Sequence, residues 1–318
     1  MSLRTPDLAV EFAVSNMDLY PIDIPGRPSW GANLEQLVPY LERTGCANFE
    51  IHPTRAIVHD IARREASGDT DIIRAVVGSV HQTFNEGTGP FGKIADWRGI
   101  ERCRDSAVSM RGIARAIGGR IPAVGYPEHL RDGSIATEDT YGIVQPKANV
   151  YDMLRLSSNT DLLDAVSLLG FIGICPDTVH ARCKGENGTR PPAVAEVWAD
   201  QFASGCVYQM HVSADRVDLK RLDPELAERS VEEFEAFVSA GAKRALNTEL
   251  GEMIIAAIEN YVPPAGLAHP SGRPVLRQVL EVPPRIGAIR RRPAQHARFV
   301  KSLAEIARSV GATPLLRS

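Results

Sequence analysis

Short apolar, β-branched runs alternate along this chain with longer stretches whose apolar residues recur every three or four positions. The runs cover 9–14, 48–53, 75–82, 121–126, 141–147, 171–177, 206–213 and 274–282. Each has the length of a strand, and strands separated by helices pair in parallel, because every crossover must travel back along the sheet. Eight such units is the number that closes a barrel, so the pattern predicts an α/β fold, a (β/α)8 TIM barrel forming a single domain over 1–318.

The helical stretches carry their own signals. Across 96–117 the residues Ile100, Cys103, Ala107, Met110, Ala114 and Ile117 form one apolar stripe, and Gly118-Gly119 stops it. Asp223-Pro224 reads as an N-cap with proline in the first turn, after which Leu226, Phe234, Phe237 and Val238 mark the buried side. Phe299, Leu303, Ile306 and Val310, followed by Gly311, predict the closing helix. Two places depart from a regular barrel. Only 128–140, with Arg131-Asp132-Gly133-Ser134, separates the fourth and fifth strands, so the fourth βα unit is expected to be irregular. The connection between the seventh and eighth strands is longer than one crossover needs and is expected to hold two helices, with a loop at Pro263-Pro264-Ala265-Gly266.

Charge and cysteine content narrow the partners. Thirty-six basic against 39 acidic side chains leave a net charge of -3, so no global field draws the protein to nucleic acid or an anionic membrane. A small-molecule substrate is the expected partner, with a homo-oligomer possible. No apolar stretch reaches the ~18 residues of a membrane span, and the opening residues lack a signal-peptide profile, so a cytoplasmic protein is expected. Cys46, Cys103, Cys175, Cys183 and Cys206 form no CxxC pair and read as small buried residues. Neither G-x-S-x-G nor the complete G-x-x-x-x-G-K-[ST] occurs, and no nucleotide cofactor is expected. Between 282 and 304 the residues Arg285, Arg290, Arg291, Arg292, Arg298 and Lys301 have no acidic neighbour; a solvated segment is the expected reading, and a phosphate grip the rival.

In a barrel of this kind reactive groups stand at the carboxyl ends of the strands. Here those ends carry Glu50-Ile51-His52, Ser79-Val80-His81-Gln82, Glu128-His129, Gln145-Pro146-Lys147, Asp177-Thr178-Val179-His180, His211-Val212-Ser213 and Glu281. Glu11 lies on the first strand and can point inward, whereas His59, His269 and His296 fall on stretches expected at the surface. Asp177 and His211 offer oxygen and imidazole nitrogen from neighbouring strands, which suits Mn, Co, Mg or Zn. The plainer role for Asp177 is to cap the turn that follows it.

The runs ICPDTVHA and YQMHVSADR, within 171–216, resemble the xylose isomerase-like barrels, among them ketose 3-epimerases, sugar isomerases, dehydratases and apurinic endonucleases. The resemblance implies a divalent ion held by a glutamate, an aspartate, a histidine and a glutamate from strands five to eight. Asp177 and His211 match two of these. Glu281 is preferred for the last, because 275–282 reads as a strand and Glu249, its rival, begins a helical stretch. Gln145 stands where the fifth-strand glutamate is expected; its amide oxygen can ligate weakly but takes no proton. Lys147, on the same face, is a candidate catalytic cation or base. Substrate contacts are expected from His81, His180 and Arg216, with Glu128 and His52 as further candidates. The implied activity is a metal-dependent sugar isomerase or epimerase that removes a proton beside a polarised carbonyl, with Glu281 as base. The alternatives are a dehydratase, an endonuclease-like phosphodiesterase and a barrel without turnover.

Overall fold

The computed structural model describes residues 5–16, 33–52, 55–81, 113, 115–116, 121–125, 140–144, 164, 172–183, 194–214, 223–239, 241–267, 269, 271–282 and 292–317. Its strands are β1 (Ala9–Ser15), β2 (Asn48–Ile51), β3 (Val77–His81), β4 (Ile121–Gly125), β5 (Thr140–Val144), β6 (Gly173–Ile174), β7 (Met210–Ser213) and β8 (Val275–Glu281). They lie in the order β6-β5-β4-β3-β2-β1-β8-β7, every pair parallel. The two ends of that order meet: Ile174 bridges Val207, and Asp177 bridges His211. Ile174 N donates to the Cys206 carbonyl and His211 N to the Pro176 carbonyl, both at 2.8 Å. The sheet therefore curls back on itself, and its free edges are used up at this seam.

Period-two alternation sets the two faces of β1. Val10, Phe12 and Val14 join the main apolar cluster, which also takes in Phe299, Leu303 and Ile306 near the C-terminus. Glu11, Ala13 and Ser15, also buried, take the opposite face. On β3 the expected strand is shortened, because Asp71–Val76 is helical and pairing begins only at Val77. The β2–β3 register then slips: Phe49 opposes Val77, but Glu50 opposes Ser79, leaving Gly78 as a bulge. A side chain at Gly78 has no room, since its Cβ would lie 2.1 Å from Arg277 Nη1 and 2.3 Å from Asn48 Oδ1.

The helices are α1 (Val38–Thr44), α2 (Arg55–Ser67), α3 (Asp71–Val76), α4 (Val194–Ala203), α5 (Pro224–Ser239), α6 (Ala242–Ala245), α7 (Glu249–Asn260) and α8 (Arg292–Ser309). As the sequence predicts, Asp223 caps α5, its Oδ1 accepting from Leu226 N at 3.2 Å, and Leu226, Phe234, Phe237 and Val238 are buried. The β7–β8 connection holds α5 and α7 with the short α6 between them, one helix more than expected. Gly251 lets α7 start against α6, because a Cβ there would sit 2.1 Å from the Ala245 carbonyl oxygen. An alanine would gain up to ~1 kcal/mol in helix propensity, but the clash is with backbone and cannot rotate away. Gly251→Ala is therefore expected to destabilise the fold by about 1–3 kcal/mol, read from the urea midpoint; a rise in midpoint would show that α6 moves aside freely.

Some expectations need amending. His296 is buried, not at the surface, and bonds to the Tyr40 hydroxyl, because it lies three residues before Phe299 on the inner side of α8. His269 is partly buried against Glu11, and only His59 is exposed. A ninth strand, β9 (Thr313–Leu315), pairs with the first residues of β1 below β2, an edge position where Pro314 is tolerated. Cys46, Cys175 and Cys183 are buried free thiols and Cys206 is half-buried. The stretches 128–139 and, apart from the helical Ile113, Arg115 and Ala116, 96–117 lie outside the described residues, as does Cys103. Among the described residues no helix is long and apolar enough to cross a membrane.

Candidate metal centre

Alternation on adjacent strands brings a set of polar side chains together inside the barrel. β2 carries Glu50 next to its last residue, and His52, just past the strand, lies two residues on and therefore on the same face; β3 supplies Ser79 and His81 past its bulge. β7 contributes His211 and Ser213, with Gln209 just before it, and β8 contributes Glu281 as its last residue. Asp177 follows β6 and pairs with His211 through the seam of the barrel.

Glu50, His81, His211 and Glu281 each place one potential ligand atom within 4.8 Å of all the others, and the first three are buried. His211 is the centre of the group. Its Nε2 lies 3.2 Å from Glu50 Oε2, while its Nδ1 lies 3.4 Å from Glu281 Oε1 and 3.7 Å from Asp177 Oδ2. Gln209 donates its amide to Glu50 Oε2, and Ser79 Oγ approaches the same oxygen at 3.4 Å. Asp177 plays both roles foreseen for it: Oδ1 caps the turn, accepting from Val179 N at 2.7 Å and His180 N at 2.8 Å, while Oδ2 accepts from Ser213 Oγ at 2.8 Å. His52 stacks on His81 with ring centroids 4.5 Å apart, and its Nε2 lies 3.7 Å from Glu50 Oε1 and 4.0 Å from Glu281 Oε1.

The electrostatics follow from this crowding. Burial, the strongest influence on Glu50, pushes its carboxyl up, but His211, His81 and His52 together outweigh it and hold the group down at about 2. Burial and then the neighbouring His81 push His52 down to about 3 against the pull of the carboxylates, so near neutral pH it is an uncharged lone-pair donor. Burial also opposes charge on His211, yet Cys175 and the carboxylates of Glu281, Glu50 and Asp177 hold it well above the ordinary imidazole value. Cys175 itself is pushed up to about 11 by burial and stays a neutral thiol, so the carboxylates are the partners that matter.

The donor set fits a divalent cation. Glu50 Oε1 and both ring nitrogens of His52 are buried without a hydrogen-bond partner, a costly arrangement that a bound ion or substrate would relieve. Metal–ligand bonds of ~2.0–2.2 Å at tetrahedral angles set neighbouring donors about 3.3–3.6 Å apart, close to the spacing around His211 Nδ1.

Of the residues singled out in the sequence, His52, His81, Asp177, His211 and Glu281 converge here. His180 is half-buried in the turn after Asp177. Glu249 stands elsewhere, at the start of α7, bonded to Arg182 at 3.3 Å and Arg229 at 3.1 Å. Gln145, Lys147, Glu128, His129 and Arg216 lie outside the described residues, with most of the basic run near 290. So does Gly87-Thr88-Gly89-Pro90-Phe91-Gly92, a run with G-x-G-x-x-G spacing that sequence reading passes over. Sequence reading names Glu50 only as a strand-end residue and gives neither it nor Gln209 a role. The signal for Glu50 is its two-residue offset from His52, and for Gln209 the same offset from His211.

A parallel barrel with carboxylates and imidazoles gathered at the carboxyl ends of its strands is the arrangement of the described residues, and solved structures resemble the chain. A D-allulose 3-epimerase from Methylomonas sp., solved in complex with D-allulose, aligns over 97% of this chain and 99% of that one, with a TM-score of 0.52 and 12% identity. A xylose isomerase domain protein from Planctomyces limnophilus aligns over 96% and 98%, with a TM-score of 0.44 and 10% identity. Endonuclease IV from Thermus thermophilus aligns over 94% and 99%, with a TM-score of 0.42 and 15% identity. The first of these likenesses shows the fold: the chain shares the barrel architecture of that structure. No family model matches the sequence. No curated protein matches it either.

Proposed function

We propose that this chain is a divalent-metal-dependent isomerase or epimerase of a small polyhydroxylated carbonyl compound, built as one (β/α)8 barrel over 1–318. The observation that carries the reading is the buried convergence of Glu50, His81, His211 and Glu281, with Asp177 beside them. The epimerase that shares the fold was solved with a polyhydroxylated ketose, D-allulose, in agreement with this substrate class. When bound, the ion supplies a Lewis acid that favours negative charge beside a carbonyl. Glu281, the most exposed of the three carboxylates near His211 with 13% of its side chain accessible, takes the proton from the neighbouring carbon. Neutral His52 orients a substrate hydroxyl, and the Ser213–Asp177 bond fixes the far wall of the site. His180 is a further substrate contact in this reading, and the roles expected from the sequence for Arg216, Glu128, Gln145 and Lys147 remain part of it.

A second reading draws on the three imidazoles of His52, His81 and His211: a phosphodiesterase using several ions would want such a set. Elemental analysis separates the two. About one divalent ion per chain is expected, lost in Asp177→Ala and in His211→Ala. Full occupancy in both variants would remove the metal centre, and several ions per chain would favour the phosphodiesterase. Solvent deuterium appearing at the carbon beside the carbonyl of a ketose, only with metal present, is the expected sign of the isomerase chemistry.

A further inference from the structure

Resting on the metal-centre reading, we propose that Glu50, through its Oε2, is the positioning carboxylate of the site. It accepts the Nε2 proton of His211, so that His211 offers Nδ1, together with Glu281 and Asp177, to the ion.

The two sides of the His211 ring are built differently. On the Nε2 side one oxygen, Glu50 Oε2, is approached by His211 Nε2 at 3.2 Å, by the Gln209 amide and by Ser79 Oγ at 3.4 Å. Gln209 Nε2 also stands 3.4 Å from His211 Nε2. An amide NH2 is donor-only and cannot ligate a cation, so an ion between Nε2 and Oε2 would have to expel it and break its bond to a fully buried carboxylate. On the Nδ1 side the neighbours are oxygens of two carboxylates from two further strands, at 3.4 and 3.7 Å. Those separations suit donors sharing one ion, whereas 3.2 Å to a saturated oxygen suits a hydrogen bond. The tautomer in the loaded site follows: ionised Glu50 can only accept, so when an ion displaces the Nδ1 proton, Nε2 keeps its own and Nδ1 presents the lone pair.

This makes β2, a strand from which the fifth- to eighth-strand pattern takes no ligand, part of the centre. Gln209 and Ser79 lock Glu50, Glu50 locks the ring, and the ring faces its ligand atom toward β8 and the end of β6.

The test is nuclear magnetic resonance on wild-type protein with isotope-labelled histidine, loaded with zinc or cadmium, alongside calorimetric titration of zinc into folded Glu50→Ala and Glu50→Gln variants. His211 should show a protonated Nε2 and a metal-bound Nδ1. Zinc affinity should fall roughly 10–100-fold in Glu50→Ala, the range typical of an orienting partner, and less in Glu50→Gln, whose amide oxygen still accepts the proton. A metal-bound Nε2, or unchanged affinity in Glu50→Ala, overturns this inference alone. Wild-type protein that binds no divalent ion overturns both this inference and the metal-centre reading beneath it.

Discussion

On the proposed function, Glu281→Gln is expected to lower turnover by at least ~100-fold, and by as much as ~10,000-fold, on any substrate the protein accepts, while Glu249→Gln leaves it nearly unchanged. The glutamine keeps the size and shape of the side chain while removing the proton acceptor and the negative charge. At the end of β8 that loss falls on the group 3.4 Å from His211 Nδ1 and 3.4 Å from Ser213 Oγ, inside the site. Glu249 makes its bonds with Arg182 and Arg229 at the start of α7, so the same change there weakens an ion pair and touches no reacting atom. Measuring metal content beside kcat separates two causes. A variant that keeps its ion and loses turnover has lost a base; one that loses both has lost a ligand first. Full activity in Glu281→Gln, or collapse in Glu249→Gln, would show that the acid–base group lies elsewhere.

Much of this architecture is legible because the barrel repeats one physical rule. β-branched runs mark the strands, period-two alternation marks the inner face, and the carboxyl ends of the strands mark where chemistry belongs. Those rules put Asp177, His211 and Glu281 at strand ends and send Glu249 to a helix, and the family resemblance joins the first three into one ligand set. What they miss depends on register. The bulge at Gly78 adds one residue to β3, so that Ser79 and His81 face Glu50 and His52; no local pattern in Val-Gly-Ser-Val announces it. Glu50 is given no role because the family resemblance directs attention to strands five to eight, where Gln145 leaves a gap. The structure brings a carboxylate to the site from the second strand instead. β9 escapes because three residues containing a proline carry too little pattern to be read as a strand.

The second large effect is expected at the other end of the barrel, where the interior holds an ion pair unconnected with the metal centre. Glu11 Oε1 accepts from Arg277 Nη1 at 2.7 Å and from Asn48 Nδ2 at 3.2 Å, and Glu11 Oε2 lies 3.4 Å from His269 Nε2. Glu11 and Arg277 are both more than nine-tenths buried, on adjacent strands in direct register. Gly78, having no Cβ, leaves the space the guanidinium needs. Glu11→Gln leaves that guanidinium buried without its counter-charge, for which the expected cost is about 3–5 kcal/mol near neutral pH. The pH dependence identifies the cause. Burial raises the Glu11 carboxyl, but His269, Arg277 and Asn48 outweigh it and hold the group at about 2, against an ordinary value of 4.5. A carboxylate depressed on folding stabilises the protein above its unfolded pKa, so the wild type should lose this contribution as the pH falls from 4.5 towards 2. That contribution is on the order of 3 kcal/mol. The gap between wild type and Glu11→Gln in urea midpoints should thus be widest above that window and shrink through it. Replacing both partners, as in Glu11→Gln with Arg277→Met, should recover much of the loss, because the double variant buries no unpaired charge. A gap that stays constant with pH, or a double variant no more stable than Glu11→Gln alone, would mean that Glu11 fills space in the barrel floor and that its charge contributes little.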